Sequence, residues 1–77
     1  MIEFVPTRED VIWTLTKGRR RAHAAFRRLQ HGNELRIYVD GELVIIDRHR
    51  FYALDALQAQ SAAYLDDFKD LGWQQLL

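Results

Sequence analysis

An arginine-rich segment is the part of the chain whose residue types and spacing point most directly to a chemistry. Between positions 17 and 36 seven cations accompany a single acid, Glu34. Cations at this density neutralise phosphates, and an aromatic ring beside them can stack on a base. The segment is therefore a candidate nucleic-acid-binding surface, and its candidate binding residues are Arg19, Arg20, Arg21, Arg27, Arg28, Arg36 and Tyr38.

Acids elsewhere in the chain balance these cations, so that the formal net charge of the 77 residues is zero. Opposed charged blocks are typical of a protein that meets a charged partner. Four acids share the outer face of the C-terminal helix predicted below: Asp55, Asp66, Asp67 and Asp70. We expect a binding protein that acts through protein–protein contact. One version is a small phage or bacterial inhibitor or adaptor whose acids replace phosphates on a nucleic-acid-binding partner. The alternative is a nucleic-acid-binding module.

Catalytic and metal-binding patterns are missing from the sequence. The chain has no cysteine, and its three histidines (His23, His31 and His49) do not have the spacing of a convergent ligand set. Ser61 lies on a helical stripe, where its hydroxyl is expected to bond to the carbonyl four residues back. We therefore expect a protein that is not an enzyme and that carries no cofactor and no metal.

The length and composition predict one small domain. Hydrophobic residues make up 48% of the chain, which is enough for a compact core. No apolar run approaches the roughly 18 residues that span a membrane, and no basic-then-apolar leader is present. We expect a cytoplasmic protein with no membrane partner, organised as an N-terminal arm at 1–10, a sheet at 11–48 and a helix at 52–71.

Three glycines beside turn-prone residues divide the first two-thirds of the chain into segments of strand length. They are Gly18, Gly32 and Gly41. Glycine adopts the positive φ that tight hairpin turns need, so each is a predicted turn. Segments with alternating or β-branched residues are predicted strands, at 11–16, 34–39 and 42–47.

The strand at 42–47 contains four consecutive apolar residues, and its register is open by one residue. A two-residue loop before it sends Val44 and Ile46 to the side of Ile37. A three-residue loop with a glycine bulge sends Leu43 and Ile45 there instead. In either case one side of the strand belongs to the core, and the other side needs a cover.

That cover is either the apolar arm at 2–5 or an interaction surface. As the last strand of the sheet, the 42–47 segment should also have a free edge, and exposed apolar edges tend to pair. We therefore expect a homodimer built on residues 42–48, with Val44 and Ile46 as the candidate dimer strand. The arm at 2–5 can add to the same interface.

A helical stripe follows, with apolar or small residues three and four positions apart. Its members are Leu54, Leu57, Ser61, Tyr64, Phe68 and Leu71. Gly72 stands where a left-handed cap is needed, and Trp73 falls where it can pack back on Phe68 in a Schellman ending. The stripe is expected to lie across one face of the sheet.

The chain resembles a set of short bacterial proteins in three places. These are the W-x-L-x-K-G run at 13–18, the G-x-E-L-R and D-G-E-L motifs at 32–43, and the ending Leu71-Gly72-Trp73. The family pattern has one more residue between the lysine and the glycine. The resemblance implies a strand-rich first half followed by one helix, and it carries no catalytic residue across.

Residues 19–29 fit two structures. Ala22, Ala25, Phe26 and Leu29 have helical spacing, and the segment lacks β-branched residues, which favours a helix. Ala22, Ala24 and Phe26 also alternate as in a strand. The regular glycine spacing and the resemblance favour the strand, and that is our prediction.

The fold class that follows is α+β, a small antiparallel sheet in a four-stranded meander packed against one C-terminal helix. In this arrangement the open face of the sheet is basic if the sides that carry Arg21 and Arg36 coincide. Seven apolar side chains are expected to be buried together: Trp13, Phe26, Leu35, Ile37, Leu57, Phe68 and Leu71.

Overall fold

The computed structural model of the protein describes residues 9–29, 32–50 and 54–76. In chain order the elements are β1 (Glu9–Lys17), β2 (Arg20–Leu29), β3 (Gly32–Val39), β4 (Glu42–Arg50), α1 (Leu54–Asp70) and β5 (Gln74–Leu76). The strands form one antiparallel sheet in the order β4-β3-β2-β1-β5. This arrangement confirms the predicted α+β fold, a four-stranded meander with one C-terminal helix. The short β5, which adds a fifth strand beside β1, was not predicted.

Element boundaries differ from the predicted ones at both ends of the sheet. Glu9 and Asp10, assigned to an arm from the sequence, pair with β2 as the start of β1. At the other end β4 continues to Arg50, two residues beyond the predicted limit. The described part of the helix is Leu54–Asp70, so it ends one residue before the predicted end at 71. Residues 1–8 and 51–53, which include most of the predicted arm and the predicted helix start, lie outside the described part of the chain.

The segment with two sequence interpretations is a strand. β2 pairs with β1 along one side and with β3 along the other, so it lies in the middle of the meander. Two flanking ladders supply hydrogen bonds to nearly every backbone group of β2, and this outweighs a helix propensity of a few tenths of a kcal/mol per residue. Its alternate residues Ala22 and Ala24 are buried beneath α1.

Two of the three glycine turns are confirmed. Asp40 and Gly41 have φ values of 52° and 82°, the two positive values of a type I′ hairpin turn. Gly18 has a φ of 61° in the hairpin between β1 and β2. The turn predicted at Gly32 is wrong, because this glycine is buried inside β3 opposite Leu29. Residues 30–31 lie outside the described part of the chain.

The register of β4 combines the two predicted alternatives. The connection from β3 is the tight two-residue loop, and Tyr38 pairs with Leu43 beyond it. A shift then follows, so that Ile37 pairs with Ile45 and Val44 becomes the extra residue of a β-bulge. Because of this bulge, Ile45 packs toward the core, although the loop alone would have sent Val44 there.

The core lies between α1 and one face of the sheet. Its buried residues are Trp13, Leu15, Ala22, Ala24, Leu35, Ile37, Leu57 and Trp73. Phe26 and Phe68, predicted to be buried with them, are only partly buried against this cluster. The indole Nε1 of Trp13 donates to the carbonyl of Ser61 across the interface at 3.3 Å. The hydroxyl of Ser61 bonds to the carbonyl three residues back, Gln58, rather than four.

The helix ends in the predicted Schellman motif. The amide of Trp73 donates to the carbonyl of Phe68 at 3.1 Å, and that of Gly72 donates to Lys69 at 3.0 Å. Gly72 supplies the positive φ, 96°, and the rings of Trp73 and Phe68 meet edge to face. Leu71 leaves the helical stripe at this point and is 65% exposed, so its predicted burial is wrong.

Candidate interaction surfaces

The cations of β2 and β3 share the sheet face opposite α1. His23 pairs with Tyr38, and Arg27 pairs with Glu34, and directly paired residues of antiparallel strands project to the same side. Arg36 lies on that side between these two pairs. The two sides named in the sequence therefore coincide, and the open face carries Arg21, Arg27, Arg36 and Tyr38.

Arg36 and Tyr38 belong to an ionic network within the open face. Glu34 is 1% exposed and accepts hydrogen bonds from the Nε atoms of Arg36 and of Arg48, the latter at 2.7 Å. The hydroxyl of Tyr38 donates to Glu9 at 2.7 Å, and Arg36 Nη1 lies 3.7 Å from the same carboxylate. Arg36 thus lies between two acids, which neutralise much of the charge that the sequence alone suggests.

The pKa values in this network follow from burial and hydrogen bonding. Burial raises the pKa of Glu34, but the hydrogen bonds and positive charges of Arg48 and Arg36 outweigh it, so the pKa of this carboxyl is lowered. The pKa of Arg36 is raised, first by its hydrogen bond with Tyr38 and then by that with Glu34. Both groups are therefore charged at neutral pH.

The aromatic ring of the open face is also engaged. His23 stacks on Tyr38 with ring centroids 4.7 Å apart and ring planes 14° from parallel. Since this stack covers one face of the ring and Glu9 accepts from the hydroxyl, a base can stack on Tyr38 only from the other side.

Arg20 lies on the sheet face that α1 covers, and it contacts both the β3–β4 turn and the residue that follows the helix. Its Nε donates to Asp40 at 3.1 Å, and its guanidinium carbon lies 5.4 Å from the centre of the Trp73 ring. The backbone amide of Arg21 donates to Asp40 as well. Both hydrogen bonds lower the pKa of Asp40, and the one from the Arg21 backbone has the larger effect.

Arg19 lies in the turn before β2, and Arg28, which pairs with Asn33, lies on the helix side of the sheet. Both are exposed. The seven residues of the candidate nucleic-acid surface are therefore divided between the open face, the turn and the helix side, and the structure does not bring them together in one patch.

The four acids named from the sequence are all exposed on α1: Asp55, Asp66, Asp67 and Asp70. Asp67 differs from the others because it lines a groove between the helix and β4. The groove has a volume of about 250 Å³, and its other lining residues are apolar or aromatic: Ile45, Tyr64, Phe68 and Leu71.

β4 is the last strand on its side of the described sheet, so one row of its backbone N–H and C=O groups has no neighbouring strand there. Three of its apolar side chains are exposed: Leu43 by 40%, Val44 by 52% and Ile46 by 40%. Both members of the candidate dimer strand are thus on the surface. We call these three residues, together with the groove, the β4 edge surface.

Sequence reasoning missed the groove and the two residues that complete the ionic network. Glu9 and Arg48 lie 29 and 14 positions from their partners Tyr38 and Glu34, so only the strand register brings them together. No group of three or more His, Cys, Asp or Glu residues that could hold a metal ion occurs among the described residues. In the same part of the chain no helix has the length and apolar character to cross a membrane.

Comparison of the chain with protein-family models, with curated proteins and with solved structures found no match. The resemblance to short bacterial proteins therefore stays a prediction from the motifs.

Proposed function

We propose that the protein is a non-enzymatic binding protein and that it acts through protein–protein contact at the β4 edge surface. The observation that carries this proposal is the row of exposed apolar side chains on a strand whose outer backbone groups have no partner strand in the described sheet. Soluble proteins usually protect such edges with charges or cover them, because they pair readily with other chains.

The energetics favour this surface over the basic face. Each apolar side chain that leaves water contributes about 25 cal/mol per Å² of area buried, so Leu43, Val44 and Ile46 gain from being covered. Arg36 and Arg48, by contrast, are already paired with acids of the same chain. A phosphate would have to displace those carboxylates from the two arginines, which reduces the free energy that its binding could gain.

The acidic face of α1 gives the proposal a second contact. Asp67 lines the groove together with Ile45 of β4, and Asp66 and Asp70 are exposed within one helical turn of it in the sequence, so a partner that enters the groove would meet a carboxylate there. A small phage or bacterial inhibitor or adaptor that occupies a basic site would use this arrangement. Action in the cytoplasm is part of the same proposal.

Affinity capture from lysate of a bacterial host with matched baits tests the proposal. The baits are the wild-type protein, Val44→Lys and Ala59→Lys. Both substitutions add one lysine at an exposed position, but Ala59 lies on the outer face of α1. We expect proteins retained by the wild-type and Ala59→Lys baits to be lost from Val44→Lys, because a charge on the edge opposes strand pairing. Identical retention by all three baits would contradict a function at β4.

Nucleic-acid binding is the second candidate function. The observation that favours it is that Arg21, Arg27 and Arg36 project from one face, with Arg19 exposed in the adjoining turn. Arg19 and Arg21 are both exposed, so their side chains can be changed with little effect on the core.

If this second function holds, fluorescence titration of a short single-stranded RNA or DNA at low salt should show binding that falls steeply as salt rises. The cause is the release of one counterion for each phosphate neutralised. The double variant Arg19→Glu, Arg21→Glu should then lower the affinity by at least about tenfold and reduce the salt slope by about two. Asp66→Lys, an added charge on the helix, serves as the control. No binding of the wild-type protein at low salt would exclude this candidate.

A further inference from the structure

We propose that the β4 edge surface recognises an extended basic segment of another protein, in which lysine or arginine alternates with apolar residues. This inference rests on the proposed function, because it takes the β4 edge as the contact surface. It adds the chemistry of the segment that binds there. The segment would pair with the outer backbone groups of β4 and place its cations on the side of α1.

Two acids of β4 project to the side of the sheet that α1 covers. Glu42 pairs with Val39, which packs against the core. Asp47 pairs with Leu35, which is part of the core. Paired residues of an antiparallel ladder share a side. Ile45, which lines the groove, lies on this side between the two acids. On the side of the groove β4 therefore presents an apolar residue flanked by two carboxylates.

The helix contributes a third acid. Asp67 lines the groove together with apolar and aromatic side chains. Asp70 follows three positions later and so lies on a neighbouring part of the helix surface. Lys69, the one basic residue of Leu54–Asp70, is about 160° from Asp67 around the helix axis. The helix wall of the groove therefore carries negative charge with no cation of the same helix beside it.

The acids of the groove side have no partners within the part of the chain that the structure describes. Oδ2 of Asp47 is shielded from solvent and accepts no hydrogen bond there. No ion pair joins Glu42 or Asp67 to another described residue. A buried acceptor without a donor is unfavourable, and an ammonium or guanidinium group would satisfy it. Asp47 as a whole is only half-buried, so a cation can reach its carboxylate.

The cations near this end of the sheet are held elsewhere. Lys17 donates to the carbonyl of Leu71 at 2.7 Å, and Arg20 donates to the β3–β4 turn at 3.1 Å. Arg36 and Arg48 lie on the open face with their own acids. The negative charge beside the apolar groove is therefore complementary to a cation that another chain supplies.

The other side of β4 determines the apolar half of the pattern. Leu43 and Ile46 project to the open face, because their partners in β3 are residues of that face, and each is 40% exposed. Successive side chains of a strand added to β4 would alternate between the two faces. Apolar residues would then cover Leu43 and Ile46, while the residues between them reach the acids. Lysine and arginine fit the groove side because their long apolar stems can lie along Ile45.

NMR titration of the wild-type protein with a blocked heptapeptide of alternating lysine and valine tests the inference. We expect the amide shifts of Ile45, Asp47 and Asp67 to change most, and the affinity to fall as salt rises. Matched peptides with glutamate in place of lysine, or with glycine in place of valine, should each bind at least about tenfold more weakly. Absence of shift changes at millimolar peptide, or changes confined to the open face, would overturn the inference.

Substitution of the groove acid shows whether the peptide binds at this site. Asp67→Asn should weaken binding of the lysine–valine peptide at least about fivefold, because a charge-assisted contact is lost. Asp55→Asn removes the same charge about three helical turns away and should change the affinity less than about twofold. Circular dichroism checks that both variants are folded. Equal effects of the two substitutions would mean that net charge alone attracts the peptide, which contradicts a site in the groove.

Asp47→Asn separates binding from folding. Because Oδ2 of Asp47 has no partner among the described residues, this substitution should not lower the midpoint of urea denaturation. It should nevertheless weaken binding of the lysine–valine peptide at least about threefold. A lower midpoint together with unchanged binding would assign Asp47 to the fold and overturn its part in the site.

This inference and the proposed function can fail separately. If the lysine–valine peptide does not bind but Val44→Lys loses proteins that the wild-type bait captures, β4 is a contact surface for a chain of other chemistry, a second copy included. In that outcome only the basic segment is lost. If the peptide binds but all three baits retain the same proteins, the function proposed for β4 is contradicted instead.

Discussion

Replacing Phe68 with alanine is expected to lower the free energy of unfolding by about 3 kcal/mol, near the low end of the range for a large aromatic residue because the ring is only partly buried. Phe68 meets Trp13 edge to face at 5.8 Å and Trp73 at 5.7 Å. It therefore joins the helix to β1 and to the chain after the Schellman ending. The total free energy of unfolding of a native protein is only about 5 to 15 kcal/mol, so this loss is a large fraction of the stability.

Urea denaturation of the wild type, Phe68→Ala and Leu71→Ala measures this effect. Leu71 belongs to the same sequence stripe but is 65% exposed, so its substitution should cost less than about 0.5 kcal/mol. If the two variants lost equal stability, α1 would not pack on the sheet in the way described. The two residues share the helical sequence pattern but differ in burial, so the comparison shows whether burial in the structure determines the loss of stability.

The parts of the fold that the sequence predicted are those determined by neighbouring residues. Asp40-Gly41 is a dipeptide suited to a type I′ turn, and Gly72 followed by Trp73 is a local helix-ending signal. Both need only a few residues to act. Alternation of apolar side chains in β3 similarly selects the face of the sheet that α1 covers.

The features that were wrong or missed depend on distant parts of the chain. Gly32 has the local appearance of a turn but is the first residue of β3, where it pairs with Leu29 of β2. The bulge at Val44 arises in the pairing of β3 with β4, where Ile45 and not Val44 fills the core. β5 forms only after the helix has returned the chain to β1, so three residues with little strand character become a strand.

The charged face shows the same limit. Alternation assigned its residues to sides of their strands, but whether those sides coincide was left open, and the acids that neutralise the arginines were not identified. Each partner of the network comes from another strand, with Glu9 on β1 and Arg48 on β4. Charge counted along the sequence therefore overstated the basic character of the surface that the sheet presents.

Glu34→Gln is expected to lower the free energy of unfolding at neutral pH by about 3 kcal/mol. The carboxylate is 1% exposed and accepts from two arginines. Glutamine keeps the shape but not the charge, so Arg36, whose side chain is 20% exposed, would lose its main buried partner. The bond to Arg48 contributes less, because that side chain is 66% exposed and its charge is screened by water. Asp66→Asn, which removes an exposed carboxylate, should change stability by less than about 0.5 kcal/mol.

The pH dependence of the free energy of unfolding, compared between the wild type and Glu34→Gln, tests whether the charge of Glu34 stabilises the fold. The pKa of Glu34 is lower in the folded state than its usual unfolded value of about 4.3, so the folded state favours the ionised form. Its contribution to stability is fully present above the unfolded pKa and is lost as pH falls through the folded pKa.

Urea denaturation at a series of pH values measures this contribution. The difference in the free energy of unfolding between the wild type and Glu34→Gln should be constant near neutral pH. Once the pH falls below the unfolded pKa it should shrink, because Glu34 binds a proton more readily in the unfolded state than in the folded state, while glutamine does not titrate. A difference that stayed constant into strong acid would mean that packing of the side chain, rather than its charge, stabilises the open face.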